Sequence, residues 1–279
     1  MSDNLASDNL CKSCNSTCNG HGGREGAGSR KPEVLPQNEF NHIKHVLAVI
    51  SGKGGVGKSS VTALMAIGLA RQGYRVGILD ADITGPSIPK MFGLNDVPEA
   101  SGSYILPVKT TLGIAVMSLN LLLPREDDPV IWRGPILAGV VKQFWTDVVW
   151  GELDYLIVDL PPGTGDVPLT VLQSLPLDGL VVVTSPQDLS LMVVKKAIKM
   201  AEHMGIPILG MVENMSYLKC PRCGEEIYVF GIGKAEDVAC QTGVRLIEVL
   251  PVDPKLAELS DHGRVEEYET DAFRRQPLV

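Results

Sequence analysis

The stretch VLAVISGKGGVGKSS, residues 46–60, limits the fold of this chain more than any other. VLAVIS is a short apolar run closed by glycine, the pattern of a strand buried on both faces of a parallel sheet. The residues after the loop, SSVTALMAIGLARQG, carry apolar side chains at helical spacing and stop at Gly73. Between strand and helix, Gly52 to Ser59 matches G-x-x-x-x-G-K-[ST]. Glycines let the backbone curl until successive N–H groups face phosphate oxygens, and the helix N-terminus adds partial positive charge. Lys58 can reach the β- and γ-phosphates of a nucleotide, and the Ser59 hydroxyl can ligate Mg²⁺. The candidate phosphate site is therefore Gly52, Lys53, Gly54, Gly55, Val56, Gly57, Lys58, Ser59 and Ser60. An ordinary loop of this kind has no need of Lys53, which taken alone reads as a solvated surface lysine.

Further buried-strand patterns follow at RVGILD (75–80), GIAVMS (113–118), DYLIVDL (154–160), GLVVVTS (179–185) and IPILGMVEN (206–214). Helical patterns lie between most of them, notably LAGVVKQFWTDVVW and SLMVVKKAIKMAEHMG. Strands alternating with helices predict an α/β fold, a mainly parallel sheet with helices on both faces. The first 40 residues, rich in Asn, Ser, Asp and Gly, read as a flexible cysteine-containing tail. The folded domain is expected over 41–265, with a C-terminal tail over 266–279.

Two acidic strand ends belong beside the phosphate loop. LDAD ends a strand at Asp80 with Asp82 just beyond, and IVDLPPGTGD puts Asp159 and then Gly163 after another. Ligands of open α/β sheets bind at the carboxyl ends of the strands, where these loops can converge. Gly163 falls where a loop sensing the γ-phosphate could sit. A plain helix N-cap is the other reading of Asp82.

The six cysteines are Cys11, Cys14, Cys18, Cys220, Cys223 and Cys240. No signal peptide or long apolar span is visible, so the expected location is the cytoplasm, where thiols favour metals over disulfides. YLKCPRCGEEIY holds Cys220 and Cys223 two residues apart. That is half of the four-thiolate shell taken by zinc or by an iron–sulfur cluster, and ligand type alone does not separate the two. CKSCNSTC offers three thiolates; His21, an exogenous thiol or a partner chain could add a fourth, or the tail binds metal only opportunistically. Cys240 reads as a small buried apolar residue. A net charge of −8 with 5% aromatics argues against nucleic-acid binding. The mixed C-terminal sequence DHGRVEEYETDAFRRQPLV lacks the basic amphipathic face of a membrane anchor.

G-K-G-G-V-G-K-S resembles the variant phosphate loop of the MinD/ParA and nitrogenase iron-protein superfamily of P-loop NTPases. DADITGPSIPKMFG, VIWRGP, DLPPGTGD and VENMSYLKCPRCGE, in that order, narrow the resemblance to the Mrp/ApbC group of iron–sulfur carrier ATPases. The resemblance implies ATP and Mg²⁺ as ligands, Lys53 reaching the nucleotide of a dimer partner, Asp82 positioning the attacking water and Asp159 acting through the Mg²⁺ shell. It implies that Asn214 hydrogen-bonds the adenine edge and that LPVDP, with Pro251 and Asp253, wraps the base. It also implies a homodimer whose two Cys220/Cys223 pairs hold one bridging [4Fe–4S] cluster, for delivery to apo iron–sulfur proteins. An N-terminal cluster site with wider spacing and four cysteines occurs in some members, and Cys11, Cys14 and Cys18 depart from it. A zinc-stapled regulator and a MinD/ParA-like positioning ATPase are the alternatives.

Overall fold

The computed structural model describes residues 34–82, 87–122, 134–163, 165–187 and 191–274. Strand β1 (His42–Ser51) enters the phosphate loop, and helix α1 (Lys58–Arg71) leaves it. Strand β2 (Val76–Asp80) and the short helix α2 (Ile88–Phe92) come next. The segment 93–112, which carries no clear periodicity, forms a small antiparallel pair, β3 (Ala100–Ser101) with β4 (Tyr104–Ile105), and an edge strand, β5 (Val108–Lys109). The alternation then resumes with β6 (Ala115–Ser118), α3 (Gly134–Thr146), β7 (Glu152–Asp159), α4 (Asp166–Ser174), β8 (Gly179–Thr184), α5 (Leu191–Met204) and β9 (Ile208–Glu213). A second small hairpin, β10 (Leu218–Lys219) with β11 (Glu226–Ile227), precedes α6 (Ala235–Thr242), β12 (Leu246–Val249) and α7 (Pro254–Asp261).

Among the described residues the main sheet has eight strands in the order β12-β9-β8-β1-β7-β2-β6-β5, parallel except where β5 meets β6. The apolar runs in its central strands are explained by burial on both faces. Val46, Ala48 and Ile50 of β1 join a core with Phe144 and Trp145 of α3 and residues of α4, α5 and α6. Leu47 and Val49, pointing the other way, join α1 and α2. The chain builds outward from β1 through β2, then crosses to the other side at β8. The reversal falls at β1, and that is where a crevice opens at the carboxyl ends of the strands.

Helix α1 is buried without interruption from Val61 to Leu69, so it must be covered on the side away from the sheet as well. The C-terminal residues supply that cover. Tyr268, Ala272 and Phe273 are buried in the α1 core, and the Arg71 guanidinium donates to the carbonyls of Glu266 and Tyr268. The stretch 266–274, expected as part of a C-terminal tail, is therefore packed onto the domain. The reason is that α1 needs a lid, a demand written in the helix rather than in the segment that meets it. Cys240 is a second correction: it is exposed. The buried positions of α6 are Ala235 and Val238, and a residue two places past Val238 lies on the opposite side of a helix.

Candidate functional site: a phosphate loop and a cysteine hairpin

Buried polar side chains gather where the parallel strands end: Ser51, Asp80, Ser118, Asp159, Thr184 and Glu213. Asp159 is the centre of this set. Its carboxylate, fully buried, accepts from Lys58 Nζ at 2.7 Å, Ser59 Oγ at 2.5 Å and Thr62 Oγ1 at 2.9 Å. A buried carboxylate needs a charge partner and hydrogen bonds to be tolerated, and here it has both. The carboxylate and the Ser59 hydroxyl together present hard oxygens of the kind Mg²⁺ prefers. Thr62, one helical turn past Lys58 on the face of α1 turned to the sheet, was not foreseen from the sequence. Its distance from the loop motif hides its role.

Asp82 lies on the other side of Lys58, with Oδ2 3.7 Å from Nζ and its side chain 13% exposed. It lines a groove of about 250 Å³ with Lys53, Gly54, Gly55, Ser59, Ser60, Met91 and Pro162. Its backbone N–H donates to Asp80 Oδ1, and Ser118 Oγ donates to Asp80 Oδ2. Burial, and then the nearby Asp159 charge, push the Asp80 carboxyl well above the ordinary Asp range. Gly163 donates its N–H to the Ser51 carbonyl at a φ of 86°, a conformation glycine adopts freely. The loop after β7 is thereby pinned beside the phosphate loop.

Asn214, Pro251 and Asp253 do not line that groove. They border a neighbouring cleft of about 840 Å³ together with Tyr217, Leu218 and Lys219. Asn214 connects the two spaces, because its Nδ2 donates to the Val56 carbonyl at 2.9 Å. Gly57, at a φ of 76°, leaves room for it: a Cβ there would lie 2.2 Å from Asn214 Nδ2. Asp253 caps α7 by accepting from the Lys255 N–H, and it also accepts from the Tyr268 hydroxyl. Both residues thus have structural partners besides any role at a base.

Cys220 and Cys223 stand at the turn of the β10–β11 hairpin, half-exposed and exposed respectively. The turn closes through the Cys220 N–H to the Glu225 carbonyl and the Gly224 N–H to the Cys220 carbonyl. The backbone amides of Cys223 and Arg222, and then the Cys223 thiol, point at the Cys220 sulfur and hold its thiol below the ordinary range. The run after it, Ile227, Tyr228, Val229, Phe230 and Ile232, is exposed throughout. Among the described residues no three His, Cys, Asp or Glu converge as a metal site. Cys11, Cys14, Cys18 and His21 lie outside the described residues, as do parts of the DADITGP and VIWRGP segments.

A phosphate loop on the central strand of a doubly covered parallel sheet, with its acidic residues at the neighbouring strand ends, defines a P-loop NTPase. The family model for the ParA group described as NUBPL iron-transfer P-loop NTPase matches residues 42–276, and the chain belongs to that family. Among similar curated proteins, the iron-sulfur cluster carrier protein of Clostridium perfringens is 47% identical over 92% of this chain and 94% of its own length. The protein of the same name from Methanocaldococcus jannaschii is 49% identical over 81% of this chain and 79% of its own. A solved nucleotide-binding protein from Archaeoglobus fulgidus, in complex with ADP, is 51% identical with a TM-score of 0.77, over 84% of this chain and 93% of that one. MinD of Aquifex aeolicus shares the fold at 23% identity and a TM-score of 0.54, over 78% of this chain and 87% of its own.

Proposed function

We propose that the protein is an ATP-hydrolysing carrier that assembles a [4Fe–4S] cluster between two copies of itself and hands it to apo iron–sulfur proteins. The observation that carries this reading is the Cys220/Cys223 pair, two free thiols set together at the hydrogen-bonded turn of an exposed hairpin. Two thiolates are half a cluster shell, and a two-fold axis brings a second identical pair to the first. The exposed apolar run from Ile227 to Ile232 beside the pair is suited to burial against its own copy. Relatives matched over 94% and 79% of their own length bear the name iron-sulfur cluster carrier protein, which supports the same cargo.

At the phosphate loop, the backbone from Gly52 to Ser60 would cradle the ATP phosphates, with Ser59 and Asp159 serving Mg²⁺. Lys58 would neutralise charge on the transferred phosphoryl group and Asp82 would orient the attacking water. Lys53, on the exposed part of the loop, would act on the nucleotide of the partner subunit. Asn214 and the residues around Pro251 and Asp253 would receive the base in the adjoining cleft. Thiol ligands of this kind need a reducing compartment, in keeping with a cytoplasmic location. Among the described residues no helix is long and apolar enough to cross a membrane. The positioning-ATPase alternative is weakened by burial of Tyr268, Ala272 and Phe273, which leaves 266–274 committed to α1.

Anaerobic reconstitution with iron and sulfide tests the proposal. The expected product is a brown dimer with about four irons per two chains; Cys220→Ser and Cys223→Ser should each abolish it. Lys58→Ala should still load the cluster but lose hydrolysis and delivery. Tight zinc without sulfide uptake would replace this reading with the zinc-stapled regulator.

A further inference from the structure

We infer that residues 213–216 form the joint through which nucleotide at the phosphate loop is felt at the cysteine hairpin, with Met215 as its pivot and Glu213 as its latch. The joint rests on the carrier reading only for what the hairpin holds; the linkage itself is a property of the chain.

One end of the joint is on the loop. The Asn214 side chain is 6% exposed, its amide holds the Val56 carbonyl, and its own N–H is fixed to the Thr184 carbonyl at 2.8 Å. Any reorientation of the Val56 peptide as the loop closes on phosphates must be matched by Asn214. The other end is the hairpin, since Cys220 follows Asn214 by six positions. The intervening peptides are secured: Ser216 N–H to the Leu250 carbonyl, Val252 N–H to the Tyr217 carbonyl, and a bridge between Leu218 and Val252. Motion entering at Asn214 is therefore passed along this run rather than absorbed by slack. The weak point is Met215, whose φ of 60° is uncommon for a side chain other than glycine.

Glu213 sits at the base of the same excursion, bonded to the chain as it leaves and packed against it as it returns. It is 3% exposed, and its Oε2 accepts from Ser216 Oγ at 2.7 Å on the outgoing chain. The returning chain passes so close at Gly233 that a Cβ there would lie 2.3 Å from Oε2 and 2.4 Å from Oε1. Among the described residues Oε1 has no hydrogen-bond partner. A buried acceptor left unmet disfavours the arrangement that leaves it so. Burial, with the charge of Glu236 on α6 adding to it, raises the Glu213 carboxyl above its ordinary range. A displacement at Ser216 or Gly233 would therefore change the surroundings of the Glu213 carboxylate directly. Leu218 and Lys219, at the root of the hairpin, also line the cleft bordered by Asn214, so a base bound there would bear on the same run.

Hydrogen–deuterium exchange on the full chain, with and without Mg–ATP, tests the joint. In the wild type, ATP should change exchange across 217–233 by about fivefold or more, the lower range of measured couplings between sites. Met215→Gly frees the pivot and Glu213→Gln alters the latch. Each should reduce the ATP response to less than about twofold while steady-state hydrolysis stays within about twofold of wild type, the separation expected when coupling alone is lost. The rate at which a ferrous chelator strips the loaded cluster should lose its ATP dependence in the same variants. Thermal unfolding identifies any variant that is misfolded, in which case the other decides. An undiminished ATP response in the folded variants, or none in the wild type, overturns the joint. An exchange response in a protein that takes up no iron and sulfide supports the joint and overturns only the carrier reading.

Discussion

Single residues show how far one carboxylate's neighbours reach. Asp154 sits at the end of the sheet away from the phosphate loop, where it accepts from Lys44 Nζ at 2.8 Å and from the Arg75 N–H at 2.8 Å. The Lys44 hydrogen bond, then the Arg75 amide, lower its carboxyl from the ordinary 3.8 to about 2. A folded-state value below the unfolded one means that the stabilisation is complete above the ordinary value and is lost as pH falls through the depressed one. The stability advantage of wild type over Asp154→Asn should therefore hold at neutral pH and shrink between about pH 4 and pH 2. Paired chemical-denaturation curves across that range check it, and a constant difference would remove the assigned interaction. At this scale the sequence was legible for Lys58, Ser59, Asp82 and Asp159, because the loop motif and the strand ends prescribe their places. It was silent on Thr62, Glu213 and Met215, whose neighbours come from elsewhere in the chain.

Helices α2 and α7 meet through two glycines. Gly93 ends α2 at a φ of 66° and Gly263 follows α7 at a φ of 69°. A Cβ on Gly263 would lie 2.5 Å from the Gly93 Cα, a clash between backbones that no rotamer change can relieve. The left-handed conformation adds its own penalty of roughly 1–2 kcal/mol for an L-residue. Gly263→Ala should cost about 2 kcal/mol or more, and with it roughly 4–8 °C of thermal midpoint for a domain of this size. Nucleotide affinity should weaken too, because α2 carries Met91 to the phosphate groove. Calorimetry and a nucleotide titration read the two effects separately. Helices α1, α3 and α5 and the central strands themselves were legible, since apolar periodicity is local. The small pairs β3–β4 and β10–β11, two residues to a strand, are too short to carry any period.

For the whole molecule the proposal requires two copies. Ile232 is 80% exposed and follows the cysteine turn by nine positions, so an acidic substitution there should leave the lone chain folded. If the patch is buried between copies, Ile232→Asp should weaken the loaded dimer about tenfold or more, since each buried isoleucine contributes roughly 1.5–3 kcal/mol. Sedimentation of the cluster-loaded protein measures this, and an unchanged dimer constant would move the interface elsewhere. The exposed run carries no cysteine or motif and was not singled out in the sequence. Its exposure has no local signature either, because a run such as IYVFGI reads equally well as a core strand.

The phosphate loop, the alternation of strands and helices around it and the spacing of the two thiols are each encoded in residues adjacent along the chain. Folding alone brings Asn214 to the Val56 carbonyl across 158 positions, lays the C-terminal residues over α1 and seals Glu213 beneath Gly233. Those contacts join distant segments whose only common property is their place in space, so no local pattern records them.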